Sequence, residues 1–316
     1  MLISKITWIL FISLCVFLIP AQLASLDPQT SINQYVLNEW TRENGLPFNS
    51  ITGIVQTKDG NLWIASSRSL CKFNGIKFTS LHRFNVDKAE YSKITSLNVD
   101  SRYMFWGGTH GNGLFQFKND LFEFYSKKNG LACSYINCLF NDMKDQLWIG
   151  TDEGFLDCLI DKSKITFKNY INKLNFPIYS LCEDSKGNLW VGTKGDGVYK
   201  FQNNDFLKLR NPHYEKYNVF SICEATNGDI FFGTNFGLLR YNGERITIFG
   251  KDQDLSEQRI NVITEDSDGN LWIGSTNGLY RVRKTETEVN TMDSSMAGIV
   301  INSIIEDREK SIWIGT

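Results

Sequence analysis

Three histidines, His82, His110 and His213, are the only imidazoles in the chain. A zinc site would need them beside further ligands at short spacing, and their scatter supplies none. Carboxylates do recur, as Glu183, Glu224, Glu265 and Glu306, with Asp184, Asp266 and Asp307 beside three of them. Glycoside hydrolysis needs one pair of carboxylates flanking a bond. An acid repeated along the chain marks a structural role instead. Asp266-Ser-Asp-Gly resembles the opening of a calcium loop, but similar turns return elsewhere. Gly111-Asn-Gly113 and Gly195-Asp-Gly197 fall short of a phosphate-binding loop and read as turns. These residues imply no catalytic group, no metal ligand and no cofactor.

A third set is more informative. Arg68, His110, Tyr135, Tyr179, Lys194, Tyr217, Phe236 and Arg259 are rings and cations in segments that turn chemistry would fill with Gly, Asn, Asp and Ser. Tyr91, Tyr214, His82 and His213 share such segments. A planar ring can stack on a sugar face while Arg, Lys or His bonds to hydroxyls. These residues are the candidate ligand contacts. Loop packing is the competing use of the same aromatics.

Whether they converge depends on the elements that carry them. The motif "GNLWIG" (Gly269–Gly274) returns as "GNLWIA" (Gly60–Ala65), "DQLWIG" (Asp145–Gly150), "GNLWVG" (Gly187–Gly192) and "SIWIGT" (Ser311–Thr316). Its aromatic anchors are Trp63, Trp106, Trp148, Trp190, Phe231, Trp272 and Trp313, spaced 41 to 43 residues apart. A fixed period in that range means a repeat architecture, either helical arrays or four-stranded propeller blades. Twelve residues before each anchor stands Ile51, Ile94, Ile136, Ile178, Val219, Ile260 or Ile301. A short apolar run follows, then a turn such as Asp184-Ser-Lys-Gly-Asn188, then a second apolar run. Strand, hairpin, strand is the reading. A Gly after the motif and a further polar hairpin lead to third and fourth strands, and no stretch keeps a helical period. The prediction is an all-β, seven-bladed β-propeller of four-stranded blades over 26–316, its last blade incomplete.

In such blades the first and third hairpins lie on one rim. The candidate contacts fall on the other, in the loops between second and third strands and between blades. One residue after each inner-strand start stand Thr52, Thr95, Asn137, Tyr179, Phe220, Asn261 and Asn302, a ring expected at the channel mouth.

Composition is that of an ordinary globular chain: 42% hydrophobic, 22% charged, and a formal charge of −2 that gives no reason to expect nucleic acid. Aromatics, at 13%, suit the filling of wedges between blades. The N-terminus differs. Lys5, an apolar run Ile6–Ile19, Pro20 and small residues to Ser25 read as a signal peptide over 1–25. Fourteen residues of helix span about 21 Å, short of a ~30 Å bilayer core. An uncleaved anchor is the rival reading, since Gln22 spoils the cleavage pattern before Ala24, and Cys15 inside the run argues against a lipoprotein. Of the six remaining cysteines, Cys182 and Cys223 take a core position of the repeat, so no disulfide framework is expected.

"CEDSKGNLWVGTKGDGVYKF" (Cys182–Phe201), "TEDSDGNLWIGSTNGLYRV" (Thr264–Val282) and "RENGLPFNSITGIVQTKDGNLWIA" (Arg42–Ala65) resemble the two-component regulator propeller repeat. The resemblance runs from Ile32 to Thr316. It implies the periplasmic sensor region of a hybrid histidine kinase, anchored to the inner membrane in the full-length protein and responding to glycan-derived oligosaccharides. It also implies partners in a second propeller or downstream sensor domains, with a homodimer possible. No histidine sits in a helical, acidic context suited to a phosphoacceptor, so kinase activity would reside elsewhere. A propeller glycosidase or lyase, and a protein-docking scaffold, are the alternatives.

The last motif carries a further expectation. Ile32–Trp40 occupies the place of a fourth strand before the first blade, and closure of a ring would set it against the last. That blade supplies only two strands before Thr316. The chain is therefore expected to be the N-terminal fragment of a longer protein.

Overall fold

The computed structural model describes residues 38–66, 69–81, 93–170, 174–250, 255–284 and 296–316. The leader at 1–25, Arg68, His82, Tyr91 and all but the last three residues of Ile32–Trp40 lie outside these.

The strands follow the repeat. Blade one is β1 (Ile51–Gln56), β2 (Leu62–Ser66), β3 (Leu70–Phe73) and β4 (Phe78–Leu81). Blade two is β5 (Ile94–Val99), β6 (Phe105–Thr109), β7 (Leu114–Lys118) and β8 (Leu121–Tyr125). Blade three is β9 (Ile136–Asn141), β10 (Leu147–Thr151), β11 (Leu156–Asp161) and β12 (Thr166–Tyr170). Blade four is β13 (Ile178–Glu183), β14 (Leu189–Thr193), β15 (Val198–Gln202) and β16 (Asp205–Lys208). Blade five is β17 (Val219–Glu224), β18 (Ile230–Thr234), β19 (Gly237–Tyr241) and β20 (Ile246–Phe249). Blade six is β21 (Ile260–Glu265), β22 (Leu271–Ser275) and β23 (Gly278–Val282), and a hairpin of β24 (Ser303–Glu306) and β25 (Ile312–Gly315) follows. Each sheet is antiparallel in chain order.

The expectation of seven blades, the last of them incomplete, is therefore corrected. The described residues build six blades, five with four strands and one with three, and then a two-stranded hairpin. The cause is visible in the last copy of the motif, which contributes β24 and β25 alone. That hairpin still closes the ring: β24 contacts both β21 and β1. The Ile51 amide donates to the Thr316 carbonyl at 2.7 Å. Arg308 donates to the carbonyls of Lys58 and Thr57 at 2.7 and 3.0 Å. Asn38–Trp40 forms no strand, but Trp40 stacks on Trp313 with centroids 5.0 Å apart.

The motif that repeats is the joint between neighbours. A Cβ built on the Gly two residues after the anchor would come within 2.5–2.9 Å of the β-branched residue that opens the next unit. Gly108 meets Ile136, Gly233 meets Ile260, Gly274 meets Ile301 and Gly315 meets Ile51 in this way. Glycine leaves the socket into which the β-branched side chain fits. The anchors are buried from Trp63 to Trp272, at 7% exposure or less, while Trp313 is half-buried.

Each indole also needs an acceptor. Trp106, Trp148, Trp190, Trp272 and Trp313 donate to the Asp six residues earlier, at 2.6–3.2 Å. Trp63 uses Thr57 at 3.2 Å. Where the anchor is Phe231, with no N–H to satisfy, the acid is absent and Ala225 stands there. The recurring glutamates have a structural task, as their repetition implied. Glu183, Glu224, Glu265 and Glu306 each accept from the backbone of the preceding unit's hairpin, at Met143, Ser185, Thr226 and Ser267, at 2.6–3.0 Å.

All six cysteines of the described residues are free thiols, and burial pushes Cys71, Cys138, Cys158 and Cys223 up to about 12. Cys182 and Cys223 are half-buried and pack on neighbouring core clusters, filling the positions assigned to them.

Candidate functional site

Pairing between first and second strands slips at the same place in all six blades. Ile51 faces Ser66 and Gly53 faces Ala65, so Thr52 has no partner. The same slip strands Thr95, Asn137, Tyr179, Phe220 and Asn261. A β-bulge leaves one residue out of the ladder and re-aims its side chain. Here the re-aimed residues are the expected ring. All six, with Asn302, line one cavity of about 740 Å³ at the channel mouth.

The ring is not uniform. Thr52 and Thr95 donate to the carbonyls of Ile94 and Ile136 at 3.2 and 2.6 Å, and Asn261 donates to Ile301 at 2.9 Å. These three stitch each unit to the next. In blade four the stitch moves one residue on, to Ser180, which donates to the Val219 carbonyl at 3.0 Å. That shift releases Tyr179. Tyr179 and Phe220 stack on each other at 5.7 Å and 24°. The Arg259 guanidinium lies 3.9 Å over the Phe220 ring, and the Lys194 ammonium lies 5.7 Å over Tyr179.

Four of the eight candidate contacts reach this cavity: His110, Tyr179, Lys194 and Arg259. Tyr135 stands beside it, 43% exposed, edge-on to His110 at 4.8 Å. Tyr217 and Phe236 form a separate surface cluster with Tyr214, at 5.1 and 5.5 Å, and do not line the mouth. Arg68 lies outside the described residues. Ser50, Lys93, Asn218 and Asp152 line the cavity and were not among the candidates. Register could have found them. Ser50, Lys93 and Asn218 take the position of Arg259, just before an inner strand, and Asp152 takes that of His110 and Lys194, just after a second strand.

Charge at the mouth is lopsided. Lys93, Lys194 and Arg259 are cationic, and Asp152 is the single carboxylate of the lining. Asp152 accepts from the Asn137 amide at 3.4 Å. A pair of carboxylates flanking a bond, as glycoside hydrolysis requires, is not part of this lining.

The Two component regulator propeller model matches residues 45–68, 130–153, 175–195 and 254–277. The chain carries two-component regulator propeller repeats. Each match holds an anchor-bearing strand or the loop that leads into it. No curated protein matches the sequence. Among solved structures, the chain is similar to the extracellular domain of a hybrid two component system from B. thetaiotaomicron, at 22% identity and a TM-score of 0.75 over 88% of this chain and 40% of that one. It is also similar to the extracellular domain of a one component system from the same organism, at 21% identity and a TM-score of 0.68 over 85% and 37% of the two chains. Virginiamycin B lyase from Staphylococcus aureus is similar at 14% identity and a TM-score of 0.70, over 85% and 92%. The likeness at these identities is one of fold. The chain spans about two fifths of the B. thetaiotaomicron domains it matches.

The repeat matches sharpen the geometry. The segments 130–153 and 175–195 run from the connection before an inner strand to just past the second strand, so each delivers two mouth residues, Asn137 with Asp152 and Tyr179 with Lys194. In this repeat one segment builds both the joint between blades and the lining of the mouth.

Proposed function

We propose that this chain is the ligand-sensing propeller of a two-component regulatory system, exported from the cytoplasm and taking a glycan-derived oligosaccharide at the channel mouth. The observation that carries the reading is the recurrent bulge. Six blades each spend a ladder position to turn one side chain inward, and those side chains converge on a single polar cavity. The propeller repeats, and a fold shared with extracellular domains of two B. thetaiotaomicron regulatory systems, support the setting. Occupation of the mouth would alter how the inner strands pack, and a kinase portion beyond this chain would read the change. The full-length protein would be anchored to the inner membrane.

Titration calorimetry of the purified chain against an oligosaccharide panel tests the reading. Binding without change in the sugar is expected, and Tyr179→Ala and Asn137→Ala should weaken it. Product formation that persists through purification would favour a propeller enzyme. Failure of every sugar, with retained capture of a defined protein domain, would favour a docking scaffold.

A further inference from the structure

The aromatic pair in the mouth is already in use. Lys194, Tyr179, Phe220 and Arg259 form one continuous stack, each cation over one ring and the rings over each other. Such a stack holds cations in place at little entropic cost, because a guanidinium over a ring keeps its planar donors free at the edge. It does not present two open faces to a sugar. Nor are the cations neutralised: Lys93, Lys194 and Arg259 make no ion pair among the described residues. Lys162, by contrast, lies between Asp100 and Asp145 at 2.8 and 3.0 Å. Three unpaired cations around one cavity, against the single carboxylate of Asp152, favour a ligand that brings negative charge.

We propose that the mouth recognises an acidic oligosaccharide, one bearing carboxylate or sulfate groups, with Arg259, Lys194 and Lys93 as its anion contacts and the Tyr179–Phe220 pair as the platform that holds the first two. The inference deepens the sensor reading and rests on the mouth being the ligand site. The amide side chains of Asn137, Asn218 and Asn302 also line the cavity and can meet neutral hydroxyls of the same ligand.

The test is calorimetric titration of the chain with matched pairs. Oligogalacturonides are compared with their carboxyl-reduced counterparts, and chondroitin sulfate oligosaccharides with desulfated ones. At least one acidic member should bind about tenfold or more tighter than its matched counterpart, and its affinity should fall as salt is added. The arm that binds separates carboxylate from sulfate. Arg259→Met, Lys194→Met and Lys93→Met should each weaken binding about tenfold with unchanged melting temperature, and Lys186→Met on the opposite rim should not. Phe220→Leu keeps every cation yet removes a platform, and should cost roughly threefold. A neutral member that binds as tightly, with Tyr179→Ala abolishing it, overturns the anion inference and leaves the sensor reading standing. Acid binding indifferent to all three cation variants overturns the assigned contacts. Silence from every member, acidic and neutral, overturns both.

Discussion

At one rim, the Asp184 carboxylate accepts hydrogen bonds from the Asn188 amide, the Trp190 indole and the backbone of Lys186 and Asn188, while Glu224 caps the same hairpin from the next blade. At the other rim, Lys93, Lys194 and Arg259 face a cavity with one carboxylate among its lining. Both rims are built from the same strands. The first repeats its polar contacts from blade to blade and completes them within the protein. The second varies from blade to blade and leaves donors over. A polar group satisfied internally contributes to the fold, and one left over is available to a ligand.

The largest effect should come from the joint that both rims share. Trp190→Ala removes a side chain that is 3% exposed and touches the next blade's Phe232 and Tyr241, and should cost roughly 3–5 kcal/mol in urea unfolding. Unchanged melting would place the anchor on the wrong face.

Next comes the acid beneath it. Asp184→Ala strips the acceptor from four donors and should cost about 2–3 kcal/mol. Its pH dependence has a definite sign. Burial pushes the Asp184 carboxyl up, but the hydrogen bonds from Asn188 and Trp190 outweigh it and hold the group below the usual carboxylate range. Its contribution is therefore complete above the unfolded value of about 3.9 and is lost as pH falls through the lower folded value. Asp59 behaves alike: burial raises it, hydrogen bonds from Thr57 and Asn61 prevail, and it settles at about 2. Asp157, raised by burial, works the other way. Urea midpoints should hold steady down to about pH 5 and fall below about pH 4, and the gap between the chain and Asp184→Asn should close there. A gap that does not narrow at all as pH falls below about 4 would show that the carboxylate's charge is not what stabilises the hairpin.

Glu224→Ala, which releases the Ser185 backbone and hydroxyl on a half-exposed hairpin, should cost about 1 kcal/mol. Smallest of all is the stability effect at the mouth. Arg259→Met should stay within about 0.5 kcal/mol of the parent, because its guanidinium is satisfied by no internal carboxylate. A large loss there would erase the distinction between the rims.

The two rims also differ in how far the sequence disclosed them. Strand positions, blade anchors and the structural task of the repeated acids were legible, because a feature returning every 41 to 43 residues is visible to simple counting. The inner ring was legible too, at one residue past each strand start, although the bulge that turns it inward was not. What escaped is what does not repeat. Lys93 and Asp152 are singular residues at repeated positions, and only the register of Arg259 and His110 ties them to the mouth. Tyr217 and Phe236 show the opposite case. They sit in the expected loops, but cluster with Tyr214 and are not part of the cavity lining. Loop aromatics identify a rim, not a point on it. In the sequence the seventh anchor counts as a blade, although its copy of the repeat supplies only the hairpin of β24 and β25.

The recurrent bulge has an evolutionary consequence. A residue outside the ladder has no cross-strand partner to suit, so Thr, Asn, Tyr and Phe all occur at that position while the pairing on either side stays the same. The copies that make no stitch there, at Asn137, Tyr179 and Phe220, can mutate on their own without breaking a side-chain bond to the next unit, whereas Thr52, Thr95 and Asn261 each give one up. Related chains could therefore exchange one ligand for another by single substitutions scattered around the axis, while the scaffold stays under purifying selection. Variation among homologues should be concentrated at residues 52, 95, 137, 179, 220, 261 and 302, with the flanking glycines and indoles nearly fixed.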